Sequence, residues 1–143
     1  MLNGLTSESS RKLDDLLLQI LVKSESESVF LCDQAGNIWA HQSLDESRQE
    51  ANVAALCSAS FFATREIARL VGEPEFIRVV HQGEHKGQYM QSTSTDHLLV
   101  VVFNEQTNAG LVKLFTQEMM GAVEDCLRNA AEEDTARQLD ESH

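Results

Sequence analysis

The chain has few of the residues that mark fibrous or membrane-spanning proteins. Its 143 residues include one proline and seven glycines, and LLVVVF at 98–103 is the longest apolar run. That run is far below the roughly 20 apolar residues that cross a bilayer. The N-terminus also lacks a basic stretch followed by an apolar one, so we expect no signal peptide. These absences favour a globular protein of the cytoplasm that has no membrane partner.

Basic residues and cysteines are also scarce. Eleven lysines and arginines stand against 23 aspartates and glutamates, which gives a formal charge of -12. Such a chain is repelled by phosphate backbones, so nucleic acid is a poor partner. The three cysteines, Cys32, Cys57 and Cys126, are an odd number and each lies among apolar neighbours. We expect reduced thiols that fill the core or an interface.

Sequence motifs for catalysis, metal binding and phosphate binding are missing. Neither a G-x-x-x-x-G-K-[ST] loop nor a G-x-G-x-x-G turn occurs, and no serine or cysteine has the context of a nucleophile. His81 and His85 flank a turn with Glu84, where the imidazoles do not share a helical face, so we expect no metal site. The sequence therefore predicts a protein without catalytic residues, cofactor or metal, and not an enzyme.

Hydrophobic periodicity predicts the order α-β-β-α-β-β-β-α. The predicted helices cover about 10–23, with Ser9 or Ser10 as N-cap, 47–71 and 111–131; the predicted strands cover 28–33, 38–42, 76–81, 86–91 and 97–103. The strands SVFLC and HLLVVVF are almost continuously apolar, which indicates helices on both faces of the sheet. We expect an α+β fold with a five-stranded antiparallel sheet, formed by one domain over 10–131. Residues 1–9 are an N-terminal extension, and 132–143 form an acidic tail that either frays or extends the last helix.

The first predicted hairpin has its own turn chemistry. Gly36 can take a positive φ, and the side chain of Asp33 can accept hydrogen bonds from the turn backbone. Trp39 on the second strand is expected to pack under a helix rather than to stack on a ligand.

The long second helix has more apolar surface than one core contact can cover. Leu56, Ser60, Ala63, Ile67 and Leu70 share one face, which we expect to lie on the sheet. Phe61 and Phe62 cannot both point to that core, so a second molecule or a loop of the same chain must cover at least one of them. The strand after Pro74 is expected at a sheet edge that Arg78 protects, and such edges can pair in a dimer.

Four segments together resemble the roadblock (dynein light chain) family and, within it, the MglB-like bacterial polarity regulators. They are LLLQILVKSESESVFLCDQAGNIWAH, VAALCSASFFATREIARLVGE, VVHQGEHKGQYMQ and HLLVVVFNEQTNAGLVKL. The resemblance implies a roadblock/profilin-like fold and a homodimer whose sheets join edge to edge. It also implies a small Ras-like GTPase of the MglA type as partner, which binds the face formed by the paired second helices. Such proteins stimulate GTP hydrolysis by reorganising the catalytic groups of the GTPase.

The resemblance and the analysis of helix faces and sheet edges together give a set of interface candidates. They are Ala55, Ser58, Ala59, Phe61, Phe62, Arg65 and Arg69 of the second helix, and Ile77 and Val79 at the edge. We expect Arg65 and Arg69 to anchor the partner, because a mid-helix arginine has little reach into a nucleotide pocket. Two alternatives remain open: a scaffold that binds the GTPase without activating it, and a small-molecule sensor. A sensor needs a pocket of about 300 Å³ between sheet and helix.

Overall fold

The computed structural model describes residues 7–45, 49–74 and 77–141. The elements are α1 (Ser7–Ser24), β1 (Ser28–Cys32), β2 (Ile38–Ser43), α2 (Glu50–Leu70), β3 (Arg78–Gln82), β4 (Lys86–Ser92), β5 (Leu98–Asn104) and α3 (Ala109–Glu141). This order and the α+β class confirm the prediction from periodicity.

The five strands form one antiparallel sheet in the order β2-β1-β5-β4-β3. Alternate residues of the central strands supply two separate cores. Val29 and Leu31 of β1 face α1 and α3, whereas Phe30 and Cys32 face α2. Both faces are therefore covered, as the continuous apolar strands predicted, and the helices lie on opposite sides of the sheet.

Some element boundaries of the structure differ from the predicted ones. α1 begins at Ser7, so Ser9 and Ser10 lie inside the helix, and Ser9 is buried. α3 continues to Glu141, so the acidic segment extends the helix, which is one of the two outcomes that the sequence left open; the segment consists of helix-forming residues without glycine or proline. α2 starts at Glu50 and β3 at Arg78. The earlier starts predicted at 47 and 76 lie outside the described residues, as do 1–6 of the predicted extension and the last two residues of the predicted tail.

None of the helices within the described ranges is both long enough and apolar enough to cross a membrane.

Glycines with positive φ lie in the turns that follow β1 and α2. Gly36 closes the β1–β2 turn at φ 85°, as predicted, and Gly72 follows α2 at φ 84°. After α2, the backbone N–H of Glu73 donates to the carbonyl of Ala68 and that of Gly72 to the carbonyl of Arg69, which is a Schellman motif. The two sites differ in their surroundings. A Cβ on Gly36 would lie 2.9 Å from the Cα of Ala55 in α2, whereas a Cβ on Gly72 would meet nothing within 4 Å.

We therefore expect Gly36→Ala to destabilise the protein more than Gly72→Ala. The left-handed conformation costs an alanine about 1–2 kcal/mol at either position. The contact with α2 adds roughly 1–3 kcal/mol at position 36 only. Urea unfolding of both variants measures the difference, and equal losses would show that the turn does not press against α2.

Candidate interaction surface on the second helix

The orientation of α2 on the sheet is the reverse of the one predicted from its face of large residues. Leu56, Ile67 and Leu70, which we expected to lie on the sheet, are 72%, 51% and 70% exposed. The buried face instead consists mostly of small side chains: Ala54, Cys57, Ser58, Phe61 and Ala68. The small side chains thus occupy the side of the helix against the sheet, and the large apolar ones point outward.

Hydrogen bonds and one aromatic ring hold α2 in this orientation. The hydroxyl of Ser58 lies 3.2 Å from the carbonyl oxygen of Asp33 and 2.8 Å from that of Gln34, and donates to this pair of acceptors in the β1–β2 turn. Phe61 is buried in the core shared with Phe30 and other residues of the sheet. Burial of such a ring contributes about 1.5–3 kcal/mol. Ser58 and Phe61, both interface candidates, therefore have structural roles inside the protein.

The opposite side of α2 carries a row of exposed apolar residues, which we call the outer stripe. Its members are Leu56, Ala59, Ala63, Ile67 and Leu70. They recur at spacings of three, four, four and three residues, so they lie along one side of the helix. Phe62, which is 40% exposed, lies on the flank between the stripe and the buried face, and Ala55, two turns before it, is also exposed. The stripe contains the predicted interface candidate Ala59, and the prediction that Leu56, Ala63, Ile67 and Leu70 lie on the sheet is wrong.

The two arginines of α2 lie in different environments. Arg65 is partly buried: its guanidinium lies 5.7 Å and 5.3 Å from the ring centres of Phe61 and Phe62, and its Nη2 lies 3.8 Å from a carboxylate oxygen of Asp96. These contacts hold the guanidinium against its own chain. Arg69 is exposed and pairs with Glu66 one turn earlier.

The strand β3 is one edge of the sheet, as predicted, because among the described residues it pairs with β4 alone. Ile77 immediately before the strand is 51% exposed, and Val80 within it is 44% exposed. Val79 is half-buried against the core under α2. An apolar edge strand with free backbone groups is able to pair with another strand.

A polar cluster lies beneath the middle of α2, where the two turns of the sheet meet. The ring of His97 contacts Trp39 edge to face with 4.4 Å between centroids, and the indole N–H of Trp39 donates to Asp33 at 3.1 Å. Burial lowers the pKa of His97, and the nearby carboxylates of Asp33 and Asp96 oppose this only in part. The cavity at this place holds about 20 Å³, which is room for roughly one water molecule. Trp39 also packs against the core under α1 and α3, as predicted.

The three thiols are buried, and the side chain of His85 pairs with a carboxylate. Cys32, Cys57 and Cys126 are buried and free, as expected. Burial raises the pKa of Cys32 to about 12 and that of Cys57 to about 11, so both stay protonated at neutral pH. His85 pairs with Glu105 at 3.0 Å, and within the described residues no group of three or more ligating side chains could hold a metal ion.

Comparison with known families decides the classification. The model of the Roadblock/LC7 domain matches residues 5–103 of this chain. The chain belongs to the Roadblock/LC7 domain family. The match ends within β5, so α3 of this roadblock protein lies outside the matched residues. No curated protein sequence matches the chain.

Solved structures of MglB proteins share the fold over most of this chain. One described as MglB with a tetrameric arrangement is 28% identical and covers 88% of this chain and 95% of its own, with a TM-score of 0.83. MglB from Thermus thermophilus is 27% identical, with 87% and 95% covered and a TM-score of 0.82. Myxococcus xanthus MglB, 23% identical with 88% and 95% covered, shares the fold at a TM-score of 0.81. Roadblock folds of this kind generally serve as regulatory or scaffold domains.

The lowered pKa of His97 predicts how the stability of this roadblock protein varies with pH. The unfolded chain binds the proton near the ordinary pKa of 6.5 and the folded protein only at lower pH, so the free energy of unfolding falls as the pH drops below that value. His97→Gln removes this contribution and flattens the profile. Urea unfolding between about pH 5 and pH 8 measures it, with exposed His81→Gln as the matched control. Identical slopes for wild type and His97→Gln would contradict the prediction.

Proposed function

We propose that this roadblock protein is a homodimeric regulator of a small Ras-like GTPase and that it stimulates GTP hydrolysis. The observation that carries the proposal is the outer stripe of α2. Contiguous apolar surface of this kind on a folded domain marks an interaction site. The described residues of the same chain leave Leu56, Ile67 and Leu70 more than half exposed.

A second copy of the chain is the partner that fits the stripe best. Spacings of three and four residues are those with which two helices pack side by side. In a two-fold dimer the same stripe residues of both protomers are buried. Each leucine or isoleucine that is fully buried contributes about 1.5–3 kcal/mol to the free energy of association. The free edge of β3 supports the same arrangement, because two such edges can join into one continuous sheet.

Family membership and the likeness to MglB support a small GTPase as the regulated partner. The sequence has no phosphate-binding loop of its own, so the nucleotide belongs to the partner. The environment of Arg65 supports stimulation without an inserted arginine, since this side chain is held by Asp96 and by two phenylalanine rings. In this proposal the dimer acts by positioning the catalytic groups of the GTPase.

Charged substitutions in the stripe and on its flank test the dimer. We expect Ile67→Arg in the stripe and Phe62→Arg on the flank to yield folded monomers of 15.9 kDa, whereas the wild type has twice that mass. The control is Val22→Arg, because Val22 is also an exposed apolar residue of a helix, at 65%, but lies on α1, on the other side of the sheet. Light scattering gives the mass and circular dichroism the folding. A dimer that persists in both α2 variants would show that α2 does not form the interface.

Single-turnover hydrolysis of GTP by the cognate GTPase tests the regulation. We expect the wild type to accelerate hydrolysis and Ile67→Arg to lose the effect. Arg65→Ala and Arg69→Ala should each reduce the rate by far less than the factor of about 10³ that removal of an arginine finger costs. Binding of the GTP-loaded partner without faster hydrolysis would contradict activation and leave a scaffold. Failure to bind at all would contradict the GTPase partner.

A further inference from the structure

An open cleft lies between the sheet and the first turns of α2, on the side of the helix opposite the outer stripe. Its volume is about 310 Å³, which is within the range of small-molecule sites. It exists because the buried residues of α2 begin at Ala54, so the first turn of the helix does not seal the sheet. Apolar side chains of the sheet fill the space under the middle of α2 but not at this end.

The cleft combines an apolar floor with polar walls. Phe30 and Val102 of the sheet and Val53 of α2 line it: Phe30 is a buried member of the core under α2, and the two valines are half-buried against that core. The side chain of Gln88 also lines the cleft. Its Oε1 lies 3.9 Å from the Sγ of Cys57, which is a long contact. An amide and three apolar side chains suit a ligand with an apolar body and a polar end.

The charge of the walls indicates which polar end fits. Three carboxylates, those of Glu27, Asp45 and Glu50, line the cleft together with one ammonium group, that of Lys86. Lys86 pairs with Glu27 at 3.0 Å, and Asn104 donates to the other oxygen of Glu27 at 2.8 Å. The hydrogen bond from Asn104 has the largest effect on the pKa of Glu27, and the one from Lys86 the next largest. Both lower this pKa and keep Glu27 ionised.

Asp45 and Glu50 have no lysine or arginine partner among the residues that the structure describes. Oε1 of Glu50 lies 3.6 Å from Nε2 of His41, a buried ring nitrogen for which no hydrogen-bond partner is present in the described chain. With Glu27 and Lys86 compensating each other, the cleft keeps two negative charges beside an apolar floor. A cation that also has apolar surface would satisfy both features.

We propose that this cleft is a binding site for a small organic cation. Its ammonium or guanidinium group lies between the carboxylates of Glu50 and Asp45, and its apolar body rests on Phe30, Val53 and Val102. The site is separate from the proposed dimer and GTPase surface, because the outer stripe faces away from the sheet. It requires neither a second copy nor a GTPase.

Titration of the full chain with phenethylamine, followed by amide chemical shifts, tests the site. We expect saturable shifts at Ser28, Gln88 and Val102, and no such shifts with 3-phenylpropionate, which has a similar shape and the opposite charge. Glu50→Gln and Asp45→Asn should each weaken binding about tenfold, the typical effect of losing a hydrogen bond to a charged group. The matched control is Glu118→Gln, an equal change of charge on exposed α3, and it should leave the affinity unchanged.

Three results would overturn the proposal. Equal weakening by Glu118→Gln would show general attraction of cations to an acidic chain. Equal binding of 3-phenylpropionate would show an apolar groove without charge preference. If the chemical shifts of the cleft residues change with protein concentration when neither probe is present, a second copy occupies the cleft. Thermal unfolding of each variant confirms that it is folded. Asp45→Asn is the safer of the two variants in this respect, because Asp45 is exposed and folding does not depend on its side chain.

Discussion

The contact between α2 and the β1–β2 turn decides what this protein presents to other molecules. The turn approaches the helix closely at Gly36, and the hydroxyl of Ser58 donates to carbonyl groups of the same turn. A buried hydrogen bond of this kind fixes the rotation of the helix, because any other rotation would leave those groups without that partner. The large apolar residues Leu56, Ile67 and Leu70 are consequently directed away from the core.

The β1–β2 turn is itself held by a single carboxylate. One oxygen of Asp33 accepts the backbone N–H groups of Ala35 and Asn37, each at 3.0 Å, and the other accepts the indole N–H of Trp39. Burial alone would raise the pKa of Asp33, but the hydrogen bonds from Trp39, Asn37 and Ala35 outweigh it and lower the pKa. The charged form thus organises the turn, and the turn in turn supplies the carbonyl groups that hold α2.

The β4–β5 turn links this arrangement to α3. Asp96 lies beside Arg65 of α2, while the backbone N–H and hydroxyl of Ser94 donate to Glu124 of α3. Arg128 donates to the same hydroxyl at 3.1 Å. Both sides of the sheet are therefore connected through one short turn, although the connections near the surface are individually weak. This leaves α2 with an inner face fixed from several directions and an outer face free for a partner.

Periodicity and turn chemistry alone were sufficient to predict the element order, the coverage of both sheet faces, the Gly36 turn and the edge position of β3. Those features depend on neighbours close in sequence: alternation within a strand, a glycine with positive φ, an aspartate beside its own turn. The family resemblance added the candidate partner and several interface residues, and the family itself is confirmed.

The tertiary structure alone decided which side of α2 is buried. Both sides of the helix are apolar, so the hydrophobic pattern does not distinguish them. The prediction that the side with the larger side chains lies on the sheet is wrong. The outcome depends on which residues meet the sheet and its turn: small residues and Phe61 are buried there, and Ser58 donates to carbonyl groups 24 and 25 residues earlier in the chain. The cleft beside Glu50 and the inward position of Arg65 follow from that choice. Residues so far apart in sequence are brought together only by folding, and periodicity carries no record of the distance between them.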